Sequence, residues 1–265
     1  MKNYSSLGSL FAFAIRKYAY GMVRAWSIRM GYLAIIEAGR TFPQLAARLG
    51  DFSDWMIAGL EIERRRLRVL PAFSGGELPS PTTLSGVVIT GSHAMVTDCC
   101  PWMRHLAGWL KEAVARSVPV LGICFGHQLL AHALGGVVAY HPQGREVGTV
   151  KVCLKEDAGD DPLFAGIPKT FPAQVFHAQS VLKVPPGARV LASSDFEPHQ
   201  AVVYGTCAWG LQFHPEFDAG IMRSYIAAEA GTLLSEGHDI GRLLAGVENT
   251  PVSAGLLAGF AKFVG

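Results

Sequence analysis

Gly122-Ile123-Cys124-Phe125-Gly126-His127-Gln128 places a thiol on a sharp turn between a strand and a helix. The preceding run Val118-Pro119-Val120-Leu121 is short and apolar and reads as a buried strand. Beyond the thiol, Phe125, Leu129, Leu130, Ala133 and Leu134 fall on one side of a helix that Gly135-Gly136 stops. Glycines two positions before and two after Cys124 relieve the crowding of a tight turn, as the glycines of a Gly-x-Ser-x-Gly elbow do for serine. At a helix start the thiol faces free backbone N–H groups and the positive end of the dipole, which favour its thiolate. By itself the pattern also fits an ordinary buried cysteine between two turn glycines.

A second stretch decides between these readings: Trp209-Gly210-Leu211-Gln212-Phe213-His214-Pro215-Glu216-Phe217. Alternation in Ala201-Val202-Val203-Tyr204 and in Leu211 and Phe213 predicts two strands joined around Gly205, over 200–204 and 208–213, with His214 at the end of the second. Pro215 removes a ladder donor and ends the pairing. In an extended segment residues two apart share a side, so Glu216 is expected to reach the imidazole of His214. A thiol nucleophile needs a base to ionise it and an acid for the departing amine; one imidazole serves both, with a carboxylate to orient it. The elbow and the His-Pro-Glu turn together favour a catalytic reading.

The chain resembles the class I (triad) glutamine amidotransferases. The matching residues are Gly122 to Gln128 at the elbow and Gln212-Phe213-His214-Pro215-Glu216-Phe217 at the base. Between them Arg145-Glu146-Val147-Gly148, Asp161-Pro162-Leu163-Phe164 and the His177 segment follow in the family's order. The similarity runs from about Tyr32 to about Ile226 and is closest to stand-alone members related to γ-glutamyl peptidases. It implies a Cys124, His214, Glu216 triad that hydrolyses the side-chain amide of glutamine. It also implies that Gln128 and the segment His177-Ala178-Gln179 bind the substrate. Many members have an acidic residue, able to pair with the substrate ammonium, where this chain has Gln179. A neutral amide there favours a substrate whose amino-acid end is held differently, such as a γ-glutamyl peptide.

The strand-helix rhythm from Met30 predicts a doubly wound, mostly parallel α/β sheet with helices on both faces, the flavodoxin-like amidotransferase fold. Its expected strands are 33–36, 68–70, 87–90 and 118–123, with helices around 43–49, within 51–60 and over 102–115. The second half turns β-rich (149–154, 174–176, 188–192) and reads as a small antiparallel extension carrying the His/Glu strand. Helices are expected over 221–234 and 252–263. Ligands of such sheets sit at the carboxyl ends of the strands. Thr90-Gly91-Ser92 lies at one such end, so the oxyanion hole is assigned to backbone N–H groups of Ser92 (or Gly91) and Phe125.

Half of the 265 residues are hydrophobic, enough for an ample core, and the net charge is only +2. The one basic cluster, Arg64-Arg65-Arg66 with Arg68, sits between Glu61, Glu63 and apolar residues and reads as a solvated helix end, so nothing points to nucleic acid. Five cysteines without paired spacing argue against a disulfide framework and for a reducing, cytoplasmic setting; Cys99-Cys100 reads as ordinary loop thiols. His127 and His132 diverge around their helix, no zinc pattern is present, and no metal or organic cofactor is expected. Residues 1–29 are expected to form an extension outside the core domain of 30–265. The apolar run Leu7–Ile15 within it is too short to span a bilayer, and no membrane role is expected.

The chemistry so implied is acyl transfer through a γ-glutamyl thioester. Neither a phosphate-binding loop nor length for a synthetase domain is evident. Three readings therefore stay open. One is a glutaminase that releases ammonia to a separate synthetase subunit. Another is a γ-glutamyl peptidase or hydrolase. The third, disfavoured by the complete Cys/His/Glu set, is a non-catalytic regulatory module.

Overall fold

The computed structural model describes residues 31–265. The expected extension over residues 1–29 lies outside that range. In chain order come β1 (Tyr32–Glu37), α1 (Pro43–Leu49), α2 (Phe52–Leu60), β2 (Leu67–Pro71), β3 (Leu84–Ile89), α3 (Pro101–Ala115), β4 (Val120–Ile123) and α4 (Phe125–Ala133). There follow β5 (Val137–Tyr140), β6 (Glu146–Leu154), β7 (Thr170–His177), β8 (Gln179–Lys183), β9 (Arg189–Ser193), β10 (Ala201–Tyr204) and β11 (Ala208–Leu211). The last helices are α5 (Ala219–Ala228), α6 (Ala230–Ser235), α7 (Ile240–Gly246) and α8 (Pro251–Val264).

Nine strands form one sheet in the order β2-β1-β3-β4-β11-β10-β9-β6-β7. The first five are mutually parallel, and β10, β9, β6 and β7 continue the sheet antiparallel. Alternate residues of the central strands enter different cores, as the two-residue period of a pleated strand demands. Leu33, Ile35, Val88, Leu121 and Ile123 pack with Met56 of α2 and with Leu257 and Phe260 of α8. Ala34, Ile36, Val87, Ile89 and Val120 pack with Leu106 and Leu110 of α3 and with Leu129 and Leu130 of α4. Covering both faces explains why these strands are almost continuously apolar.

Five features differ from the sequence expectation. β11 ends at Leu211, and residues 212–216 form bends and a turn, so His214 is not on a strand. β11 is also parallel to β4 and antiparallel to β10, which makes it the joint between the two halves of the sheet. The helix expected over 221–234 is two helices divided at Glu229. In addition, β5 and β8 pair as a separate two-stranded sheet beside α4, and α7 fills a stretch without an expected element. Pairing partners and helix breaks depend on distant packing, which local periodicity does not report.

Candidate active site

The turn between β4 and α4 puts Cys124 at φ 48° and ψ −101°, in the positive-φ region that non-glycine residues rarely occupy. Such strain costs roughly 1–3 kcal/mol and persists only where the surroundings hold it. Two backbone hydrogen bonds do so: Cys124 N–H donates to the Leu211 carbonyl (2.7 Å), and Gln128 N–H donates to the Cys124 carbonyl (3.0 Å). The flanking glycines are required by close approach. A Cβ on Gly122 would stand 2.6 Å from the Gly126 carbonyl, and one on Gly126 would stand 2.7 Å from the Ile89 oxygen.

Because β11 lies beside β4, the chain leaving it passes the elbow at once. His214 N–H donates to the Gln174 carbonyl of β7 at 2.7 Å, which anchors the turn. His214 Nδ1 is 2.8 Å from Glu216 Oε1, leaving Nε2 for the other side, and Cys124 is among the groups whose charge acts on this imidazole. The Cys124 thiol also lies 3.9 Å from the Phe176 carbonyl. Cys124, His214 and Glu216 are 6%, 3% and 7% exposed. His214 meets Glu216 across a turn, with Phe217 N–H donating to the His214 carbonyl, in place of the extended segment expected. Pro215 and the i to i+3 bond fold the two side chains together. Burial opposes the imidazolium charge, but the Glu216 carboxylate and Cys124 outweigh it and hold the His214 pKa up at about 10.

Of the expected oxyanion residues, Gly91 lies against the His214 ring, and Phe125 opens α4, where first-turn N–H groups have no acceptor within the helix. The Thr90 hydroxyl ties this loop down, accepting from Ala38 N–H (3.1 Å) and donating to the Gly91 carbonyl (2.9 Å). Ser92 Oγ accepts from Ala94 N–H at 3.1 Å.

The expected substrate residues are buried and knitted together. Gln128 Nε2 donates to the Gln179 carbonyl (2.6 Å) and to Gln212 Oε1 (3.0 Å). The side chain of His177 is engaged inside the protein, with Nε2 2.9 Å from Glu146 and Nδ1 3.0 Å from the Gln179 carbonyl. The Ala178 carbonyl accepts from His141 N–H at 2.9 Å. Gln179 Nε2 donates to Thr97 (2.6 Å), while its Oε1 is buried without a partner.

Sequence reasoning did not foresee an aromatic roof over the site. Phe217 stacks on His214 with ring centroids 4.2 Å apart, and Tyr225 packs on Phe217 at 4.8 Å. Phe52 lies nearly parallel to Phe217 with centroids 6.4 Å apart, and the Tyr225 hydroxyl bonds Thr41 and His93. These residues come from five separate segments, so no local pattern could have grouped them. All five cysteines are free thiols. Among the described residues no group of three or more His, Cys, Asp or Glu side chains is arranged to hold a metal ion, and no helix is long and apolar enough to cross a membrane.

A doubly wound sheet with a strained thiol elbow, an imidazole and a carboxylate at its carboxyl edge is the arrangement on which the comparisons with known proteins bear. The family model for glutamine amidotransferase class-I matches residues 72–230, and the chain belongs to that family. It is 42% identical over 131 residues to a GMP synthase (glutamine-hydrolyzing) of Thermomicrobium roseum, covering 49% of this chain and 23% of that protein. It is 31% identical over 179 residues to gamma-glutamyl peptidase 5 of Arabidopsis thaliana, covering 66% of this chain and 71% of the peptidase. The fold is similar to a crystal structure of a glutamine amidotransferase from Thermotoga maritima, with a TM-score of 0.70 and 26% identity over 88% of this chain and 98% of the other. The chain thus spans less than a quarter of the GMP synthase, but most of the peptidase and of the solved structure.

Proposed function

We propose that this protein hydrolyses γ-glutamyl amide bonds through a thioester on Cys124, with glutamine as the leading substrate and ammonia as the released amine. The observation that carries the reading is the convergence of a strained elbow thiol, an imidazole on which that thiol acts electrostatically and a carboxylate 2.8 Å from that imidazole. His214 takes the Cys124 proton, and the sulfur attacks the γ-carbonyl carbon. Backbone N–H groups of Phe125 and of Ser92 or Gly91 hold the oxyanion. His214 Nε2 then protonates the departing nitrogen as the carbon–nitrogen bond breaks. Water, deprotonated by the same imidazole, attacks the thioester carbonyl, the carbon–sulfur bond breaks, and glutamate leaves with the thiol restored. Glu216 keeps Nδ1 occupied throughout and stabilises the imidazolium.

A second reading, γ-glutamyl peptidase, is favoured by the 71% of the Arabidopsis peptidase that this chain covers and by the neutral amide at Gln179. Transfer of ammonia to a separate synthetase subunit is the counterpart suggested by the GMP synthase similarity. A reducing, cytoplasmic setting belongs to the same proposal, since the free thiols match it. The test is a substrate panel on purified protein, glutamine against γ-glutamyl dipeptides, with Cys124→Ala as control. Turnover that survives in Cys124→Ala sinks the mechanism; a preference for dipeptides selects the second reading.

A further inference from the structure

Arg145 stands immediately before β6 at the rim of the thiol site. Its guanidinium lies over the Phe176 ring, with Cζ 5.5 Å from the centroid. Phe176 is also the residue whose carbonyl faces the Cys124 thiol at 3.9 Å, and its ring meets Tyr225 of the aromatic roof at 5.4 Å. The charge of Arg145 acts on His93, which also feels His214. Phe176 thus touches both groups, Arg145 through its ring and the Cys124 thiol through its carbonyl.

Among the described residues one edge of this guanidinium is occupied. Nε and Nη2 donate to the two oxygens of Glu236 at 2.8 and 3.0 Å. Among the described residues Nη1 has no hydrogen-bond partner, although the side chain is only 15% exposed. A lysine would suffice to tie Glu236 to the sheet as a point charge. A planar fork can bind one carboxylate along one edge and a second along the other. In a γ-glutamyl substrate the α-carboxylate lies four carbon–carbon bonds from the attacked carbonyl, a span of roughly 5 Å. A γ-glutamyl amino acid brings a second carboxylate on its leaving residue.

We propose that Arg145 is a specificity-determining residue whose Nη1 edge receives a carboxylate of the substrate while Nε and Nη2 stay on Glu236. The proposal rests on the γ-glutamyl hydrolase reading. Glutamyl and leaving-residue carboxylates offer the same chemistry, and substrate choice separates them.

The experiment is steady-state kinetics on the full chain with Arg145→Met, Arg145→Lys and Glu236→Gln. Four substrates are compared: L-glutamine, its α-amide, γ-glutamyl methylamide and γ-glutamylglycine. Losing a charge-assisted hydrogen bond should raise KM about 10- to 100-fold for substrates carrying the contacted carboxylate, with kcat changed less than about threefold. Arg145→Lys should recover part of that loss and gives the answer even if Arg145→Met folds poorly. An α-carboxylate contact raises KM for glutamine, the methylamide and γ-glutamylglycine but not for the α-amide. A leaving-residue contact raises it for γ-glutamylglycine alone. Glu236→Gln should leave KM unchanged or lower it, since it frees the cation. Equal changes for all four substrates, or Glu236→Gln and Arg145→Met lowering kcat and melting temperature alike, would make Arg145 a strut and overturn the proposal. A wild type inactive on all four compounds overturns the hydrolase reading itself, a result seen before any Arg145 variant is measured.

Discussion

Gly91 lies so close to the His214 ring that a Cβ on it would stand 3.2 Å from His214 Cε1. The ring cannot retreat freely, because Phe217 stacks on it and Glu216 holds Nδ1. Gly91→Ala is therefore expected to displace the imidazole by a few tenths of an ångström. A shift of that size should lower kcat by about tenfold while the melting temperature moves little, since misplacement by 1 Å costs ~100-fold. Unchanged kcat with glutamine or a γ-glutamyl peptide would show that the ring position is not tied to Gly91.

The proposed triad should respond unequally to substitution. Cys124→Ala and His214→Ala are expected to lower kcat by about 10⁴-fold or more, and Glu216→Gln by less, because the orienting carboxylate moves no proton. KM should change little in all three, because glutamyl recognition is assigned to other residues. Circular dichroism and melting curves check that each variant is folded. Wild-type kcat in His214→Ala would make the His-Pro-Glu turn structural.

Stability at the elbow should depend on Gly122. An added Cβ would meet backbone atoms of Gly126 and His127 at 2.6–2.8 Å, and backbone cannot rotate aside as a side chain can. Gly122→Ala is expected to cost about 1–3 kcal/mol, a lowering of the melting temperature by several degrees. Calorimetry of the variant measures it. A melting temperature equal to wild type would mean that the turn opens at no cost.

The His214 imidazole should also leave a mark at alkaline pH. Its folded pKa of about 10 lies above the ordinary value of 6.5, so its contribution to stability is fully present below 6.5 and is lost as pH rises through about 10. Urea unfolding between pH 6 and 11 should show wild type losing stability at the upper end. Glu216→Gln should show a shallower loss, because the carboxylate is among the groups that hold the proton on. Parallel curves for the two proteins would assign the alkaline loss elsewhere.

Much of this arrangement is legible in residues close together in the chain. The glycines at 122 and 126 announce the elbow because a tight strand-to-helix turn excludes Cβ atoms there, and the structure shows the backbone each would strike. The apolar runs Leu33–Ile36 and Val87–Ile89 read as strands and are buried on both faces. His214 and Glu216 are two residues apart, so their meeting is local, although it happens through a turn and not along a strand.

Other relationships depend on which distant elements become neighbours. His177 and Glu146 pair because β6 and β7 are in register, and Gln128 reaches Gln179 because β8 passes beside α4. Arg145 and Glu236 are 91 residues apart and meet only because α6 ends near the start of β6. The sequence by itself determined the strand-helix alternation, the thiol elbow and the nearness of Glu216 to His214, since each follows from the steric and hydrogen-bonding limits of a few consecutive residues. Tertiary structure alone decided that β11 lies beside β4, bringing the imidazole to the thiol, and built the aromatic roof and the Arg145 rim. Those contacts follow from the burial of whole faces, a free energy shared among many segments and written in no single one of them.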